Sequence, residues 1–182
     1  ILDGYYEKYG ELILDSYNEI TSLSDGKLLE KGFYKNGLKN GEWLYYTWDL
    51  IDNCFYGLSN LDDKIILNYK NGILVGKYQC YYNNNQIKTQ GNYLNNKKNG
   101  LWIFFEENGD KALEIVFDKG IRTGSHKEFR EGKIYTEGQY EKGTMDGLWK
   151  YYYPKYTLDS EFGKNYKLDH VKREELLQKN TI

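Results

Sequence analysis

Proline, cysteine, methionine, histidine and arginine are all scarce in this chain, with one Pro, two Cys, one Met, two His and Arg only at 122, 130 and 173. Each scarcity excludes something. Cys54 and Cys80 have neither metal-ligand nor disulfide-framework spacing, and read as a pair of unlinked thiols. Two histidines cannot supply a triad without a fixed carboxylate and nucleophile, and no ligand cluster surrounds either of them. Lys carries nearly all the positive charge, as expected of AT-rich coding. With a formal net charge of −2, no electrostatic footprint for nucleic acid or an anionic membrane is present. No apolar run approaches the ~18 residues of a membrane-spanning helix. The chain starts at Ile1 rather than Met, so it reads as a fragment or processed form that lacks its native N-terminus. Cytoplasmic and exported locations both stay open.

Carboxylate pairs such as Asp62-Asp63 and Glu106-Glu107 fall in loops, where sequence adjacency does not make a facing acid/base pair. The many glycines lack the strand-to-helix context of phosphate loops. The expectation is therefore a non-enzyme with no catalytic, cofactor-binding or metal-binding residues, and no cofactor.

What the chain has in quantity is tyrosine, 20 residues of it, within an aromatic content of 17%. Aliphatics are thinly spread, and tyrosine hydroxyls need partners or water, so a thin, extended structure suits this composition better than a thick-cored globule. The aromatics recur in a phrase. Tyr93–Phe105 (YLNNKKNGLWIFF) has counterparts at Tyr34–Tyr46, Tyr69–Tyr81, Phe117–Phe129 and Tyr140–Tyr152. Their glycines, Gly41, Gly76, Gly100, Gly124 and Gly147, are separated by 35, 24, 24 and 23 residues, a period of about 24 with one insertion.

One repeat domain over 1–182 follows from this. Residues 1–26 hold a partial repeat (Gly4, Tyr6 and Tyr9 match the second half of the phrase) and an insertion. Residues 27–153 hold five repeats interrupted at 47–63. Residues 154–182 hold a closing strand (Thr157–Phe162) after Pro154, then a short capping helix, Val171–Gln178, with Asp169 as N-cap and His170 solvated at its start.

Within each unit, two aromatic-rich runs of five or six residues flank a polar turn such as Asn36-Gly37, which is a hairpin signal. The fold class expected is all-β, an elongated twisted antiparallel sheet of tandem hairpins. Register is argued from volume. Gly32, Gly91 and Gly138 precede Trp43, Trp102 and Trp149 by eleven residues, whereas Leu67 and Ile115 precede the smaller rings Tyr78 and His126. Opposed cross-strand pairs that conserve volume behave in this way. That register also sets each leading aromatic over its own unit's glycine, for example Tyr34 over Gly41 and Tyr93 over Gly100. A tight two-residue loop at Asn36-Gly37 shifts the pairing by two residues, and both registers stand.

Strand alternation separates two aromatic stripes. One is Trp43, Tyr78, Trp102, His126 and Trp149; the other is Tyr46, Tyr81, Phe105, Phe129 and Tyr152. The loop lysines Lys35, Lys39, Lys97, Lys98 and Lys142 read as solubility and edge protection.

The pattern Tyr-x-x-Gly-x-x-x-Gly-x-Trp-x-x-Tyr at Tyr34, Gly37, Gly41, Trp43 and Tyr46, and again from Tyr140 to Tyr152, resembles MORN repeats, in particular the bacterial MORN-repeat variant. Asn96 and His126 depart from it. The resemblance implies a sheet or groove of successive hairpins used for protein–protein contact or scaffolding, and some bacterial members are antitoxin components. The expected partner is another protein, contacted through one aromatic stripe, with self-association through an open sheet edge as a further mode. Sugar binding on an aromatic ladder and a purely structural spacer are the rival readings.

Overall fold

The computed structural model describes residues 2–10, 27–47, 63–158 and 165–177, and side chains within 2–10, 27–46 and 64–152. Among these residues thirteen antiparallel strands form one sheet: β1 (Gly4–Tyr9), β2 (Leu28–Lys35), β3 (Leu38–Thr47), β4 (Asp63–Lys70), β5 (Ile73–Leu74), β6 (Gly76–Tyr81), β7 (Ile87–Leu94), β8 (Lys97–Phe105), β9 (Lys111–Asp118), β10 (Ile121–Arg130), β11 (Lys133–Glu141), β12 (Thr144–Leu158) and β13 (Asn165–Leu177). Twelve lie side by side in chain order, and the two-residue β5 pairs with β4. The insertions expected at 11–25 and 47–63, and the end of the closing strand, fall largely outside the described residues.

The hairpin turns follow directly from their residue types. Asn36 and Gly37 have φ of 52° and 75°, and Asn71-Gly72, Lys119-Gly120 and Lys142-Gly143 repeat this pair of left-handed residues. Two consecutive positive φ values define the tight turn whose twist matches that of the strands it joins. Asn96, which departs from the repeat pattern, adopts φ 63° as asparagine tolerates, so the turn survives the loss of its glycine.

Both candidate registers occur, in different halves of the same hairpin. Next to the turn, Lys35↔Leu38, Tyr34↔Lys39 and Phe33↔Asn40 follow the two-residue loop. Farther along, Lys31↔Leu44 and Glu30↔Tyr45 follow the volume argument, displaced by two residues. The slip recurs between β7 and β8, β9 and β10, and β11 and β12. A bulge absorbs it, with Gly41 at its start in the left-handed region at φ 73°.

This geometry corrects the aromatic–glycine pairing. Tyr34 lies opposite Lys39, and Gly41 is paired instead with Tyr69, the leading aromatic of the next unit. Gly76↔Tyr93, Gly100↔Phe117 and Gly124↔Tyr140 repeat this, and Gly4↔Tyr34 extends it to the partial first unit. The bulged glycine leaves its own hairpin's ladder but stays in the ladder of its neighbour.

The predicted Gly–Trp opposition holds in all three units that contain it. A Cβ built on Gly32 would stand 2.2 Å from Trp43 ring carbons, and the corresponding distance is 2.3 Å for Gly91 on Trp102 and Gly138 on Trp149. Ile115↔His126 is a direct ladder pair. These residues form one continuous row across the sheet, because Trp43↔Leu67, Tyr78↔Gly91, Trp102↔Ile115 and His126↔Gly138 connect successive hairpins. A second row on the same face runs Tyr45, Ile65, Cys80, Thr89, Phe104, Leu113. Both rows are buried, with Trp43, Trp102 and Trp149 at 0%, 1% and 2% exposure. Tyr34 and Tyr69 meet Trp43 edge-on at 83° and 78°, and Tyr93 meets Trp102 at 88°. A single sheet therefore makes its core by tiling one face with rings.

Three further expectations are corrected. Residues expected to form a helix, from Val171 onward, lie in β13, because pairing along the open edge of β12 outweighs a short, sparsely apolar helix that is marginal on its own. Asp169 and His170 are consequently strand residues. The last phrase and the start of the expected closing strand are one strand, β12, with Pro154 inside it opposite His170 and a register shift immediately after it; its missing N–H is tolerated at such an irregularity. Cys80 is disulfide-bonded and fully buried in the second row, so it is not an unlinked thiol. Cys54 lies outside the described residues.

The two glycine roles separate by mutation. Gly32→Leu, which overfills the Trp43 site, should cost about 1–3 kcal/mol, and Trp43→Tyr alone a similar amount, while the double variant should be less destabilised than their sum. Gly41→Ala should cost about 1–2 kcal/mol through its left-handed φ and should stay additive with Trp43→Tyr, since nothing lies within 4 Å of its Cβ position. Urea unfolding of the three single and two double variants measures both couplings.

Candidate interaction surfaces and a groove at the strand ends

The first aromatic stripe is part of the core. Trp43, Tyr78, Trp102, His126 and Trp149 are all buried and offer no surface in the folded chain. Two of the indoles also have fixed polar edges: Trp43 Nε1 donates to Phe33 O and Trp102 Nε1 to Asn92 O, both at 3.2 Å. Lys39 and Lys98 belong to this packing too. Their Nζ atoms stand 4.0 Å from the Trp43 ring centroid and 4.4 Å from that of Trp102, so they cover the rings as well as carrying surface charge. Burial, reinforced by Arg122, lowers the Lys98 ammonium below its ordinary range. Lys39 also pairs with Glu30 at 3.0 Å and donates to the Tyr45 hydroxyl at 2.9 Å. Burial pushes Tyr45 up to about 12 and raises Tyr69 as well. Their contribution to stability is thus present below the ordinary tyrosine value and is lost as pH rises through the raised ones.

The second stripe, Tyr46, Tyr81, Phe105, Phe129 and Tyr152, is half-buried. Lys64 lies 4.3 Å over the Tyr81 ring, and Tyr152 donates to Glu137 at 2.8 Å.

A third surface was not singled out by the repeat pattern. Leu38, Ile73, Leu94 and Ile121 are 42–53% exposed and flank the tight turns. They form a ridge because the turns stack. Gly72 N donates to Lys39 O, Asn96 N to Leu74 O, Gly120 N to Lys98 O and Gly143 N to Arg122 O, at 2.8–3.0 Å. The signal was present in the sequence, since Leu38, Ile73 and Ile121 each follow a turn glycine directly. Turn residues are ordinarily read for backbone conformation, and these fall outside both stripes.

The fourth unit departs from the other units at two core slots. His126 replaces the Trp, and two positions on, Glu128 occupies the slot held elsewhere by Tyr45, Cys80, Phe104 and Tyr151. His126 is 5% exposed, and its Nε2 lies 3.1 Å from Glu128 Oε1. That hydrogen bond holds the Glu128 carboxyl below its ordinary range. Beside Glu128, at the strand ends, lies a groove of about 340 Å³. The side-chain oxygen of Thr89, on its lining, is buried without a hydrogen-bond partner.

No family model matches this chain, and no curated protein matches it.

Because the Glu128 carboxyl is depressed, its contribution to stability is present above the ordinary carboxyl value of 4.5 and is lost as pH falls through the folded value. Glu128 is 45% exposed, so solvent limits the contribution to under about 1 kcal/mol. Chemical denaturation at pH 7 and pH 3 should give a smaller drop in midpoint for Glu128→Gln than for the parent chain.

Proposed function

We propose that the chain is a non-enzymatic protein-interaction module, an elongated, twisted MORN-like array of the bacterial variant type that acts as a scaffold for another protein. The observation that carries this reading is the ridge of Leu38, Ile73, Leu94 and Ile121, large aliphatics exposed at stacked hairpin tips. Successive tips stand two strands apart, roughly 9–10 Å, a spacing that matches alternate contacts along a partner's flat or helical face. The half-buried rings of Tyr46, Tyr81, Phe105, Phe129 and Tyr152 supply a second contact row, of the residue types that dominate interface hot spots. An antitoxin-like role rests on the family resemblance alone.

Affinity capture from the source organism, quantified for one reproducible partner, tests the proposal. Leu38→Lys, Leu94→Lys and Ile121→Lys together should lower capture at least tenfold without lowering the unfolding midpoint, because these side chains are exposed. Tyr81→Ser with Phe105→Ser tests the second row separately. Undiminished capture by both variants would assign the chain a spacer role.

A further inference from the structure

The buried ring row repeats every four strands, and at one end of the sheet it breaks off. One complete set places a smaller ring, a glycine, an indole and an aliphatic side by side, as Tyr78, Gly91, Trp102 and Ile115. The set before it begins with Tyr6 and Gly32 on β1 and β2. The last set ends on β13 with Glu175 opposite Trp149, in the slot that Ile115 fills against Trp102. Inside the sheet a smaller ring therefore lies between an aliphatic and a glycine, as His126 lies between Ile115 and Gly138. Tyr6 has its glycine, Gly32, but among the described residues no strand lies on its other side, because β1 ends the sheet.

β1 is nonetheless fixed as half of a repeat hairpin. Gly37 N donates to Leu2 O at 2.8 Å, as Gly72 N does to Lys39 O, and Asn36 N donates to the Asp3 carboxylate as Asn71 N does to Asn40 Oδ1. Tyr6 meets Tyr34 edge-on at 88° and lies 5.9 Å from the Trp43 ring. An edge strand held in this way presents outward N–H and C=O groups at alternate residues, the template that an added strand pairs with. Tyr5 is 93% exposed, and Glu7 and Lys8 are exposed beside it.

We infer that β1 is a docking edge for an extended, antiparallel strand of a partner protein, with Ile, Leu or Val opposite Tyr6 and an acidic residue opposite Lys8. The row period sets the first preference. Charge sets the second: Glu30, the ladder partner of Lys8, is taken by Lys39 at 3.0 Å, so a carboxylate on the added strand would complete the pairing of Lys8. A second copy of this chain fits poorly. In the register of the row, the open edge of β13 would bring Glu175 opposite Tyr6 and Arg173 opposite Lys8, a charge in the ring row beside a like-charge pair. Backbone pairing would supply affinity and the side-chain slots specificity, as in other cases of strand addition. The inference rests on the protein-interaction reading and adds a contact on an element separate from the aliphatic ridge, so the two fail separately: Leu94→Lys with Ile121→Lys should leave strand binding unchanged.

Fluorescence anisotropy of a labelled, amide-capped peptide, Gly-Thr-Glu-Lys-Ile-Val-Thr-Gly, tests it on the full chain, with its Ile placed opposite Tyr6 and its Glu opposite Lys8. The peptide should bind and slow hydrogen exchange of the β1 amides. Asp in place of its Ile should weaken binding at least tenfold. Lys8→Glu, at an exposed position, should weaken the parent peptide at least fivefold, and a peptide carrying Lys in place of its Glu should recover the loss. No binding at millimolar peptide, equal binding of the Asp peptide, or a Lys8→Glu variant that binds both peptides alike would overturn the inference. Sedimentation that shows self-association which the peptide does not displace would overturn it in favour of a second copy.

Discussion

An indole lying flat on a cross-strand glycine is the contact on which the rest of this sheet depends. A single layer has no opposing sheet or helix to complete a core, so its apolar side chains must bury one another by lying down along the sheet. That requires a neighbour without a Cβ, and Gly32, Gly91 and Gly138 provide it. Where the neighbour is Ile115 instead, the ring shrinks to His126. Trp43, Trp102 and Trp149 are fully buried against edge-on tyrosines, the first two also under lysine side chains, so truncating one should remove ~3 kcal/mol or more of packing. A second set of glycines, beginning at Gly41, answers a different need. It places a left-handed bulge that shifts the hairpin by two residues and brings the indole over its glycine.

These two needs explain which parts of the fold were legible. Gly–Trp opposition could be read from one chain because volume exchange is recorded in the side chains themselves, five times over. The bulge leaves no such record. A glycine chosen for φ looks the same as one chosen for contact, and so Gly41 was set against Tyr34 when its ladder partner is Tyr69. The C-terminal error has a similar origin. Local signals around Asp169 favour a helix start, but the unpaired edge of β12 is a tertiary feature that no local window contains, and strand pairing prevailed. Of the candidate surfaces, both stripes could be named from alternation, yet alternation could not say that one stripe is core. The ridge at the tips went unseen because its exposure arises from turn stacking.

His126 and Glu128 are the informative exception. In one unit the two core slots hold a buried imidazole bonded to a carboxylate in place of a large aromatic and an uncharged side chain. Local consistency fails in natural folds mostly where function or strain is stored. Glu128 also lines a groove at the strand ends that carries both charged and apolar side chains.

Turn stacking links the fold to its proposed use. Each turn amide donates to a carbonyl of the hairpin before it, so every tip is positioned by its neighbour as well as by its own strands. In an array whose units touch mainly adjacent units, stability and geometry both propagate by nearest-neighbour contacts. A loop tip that would ordinarily fluctuate is thereby held at fixed spacing, and the ordering entropy of that surface is spent in folding, before any partner arrives. The aliphatic ridge is consequently preorganised for binding even though it is made of turn-flanking residues. The groove shares this rigidity, because its walls belong to strands whose registers are locked by the buried rows on either side of the fourth unit.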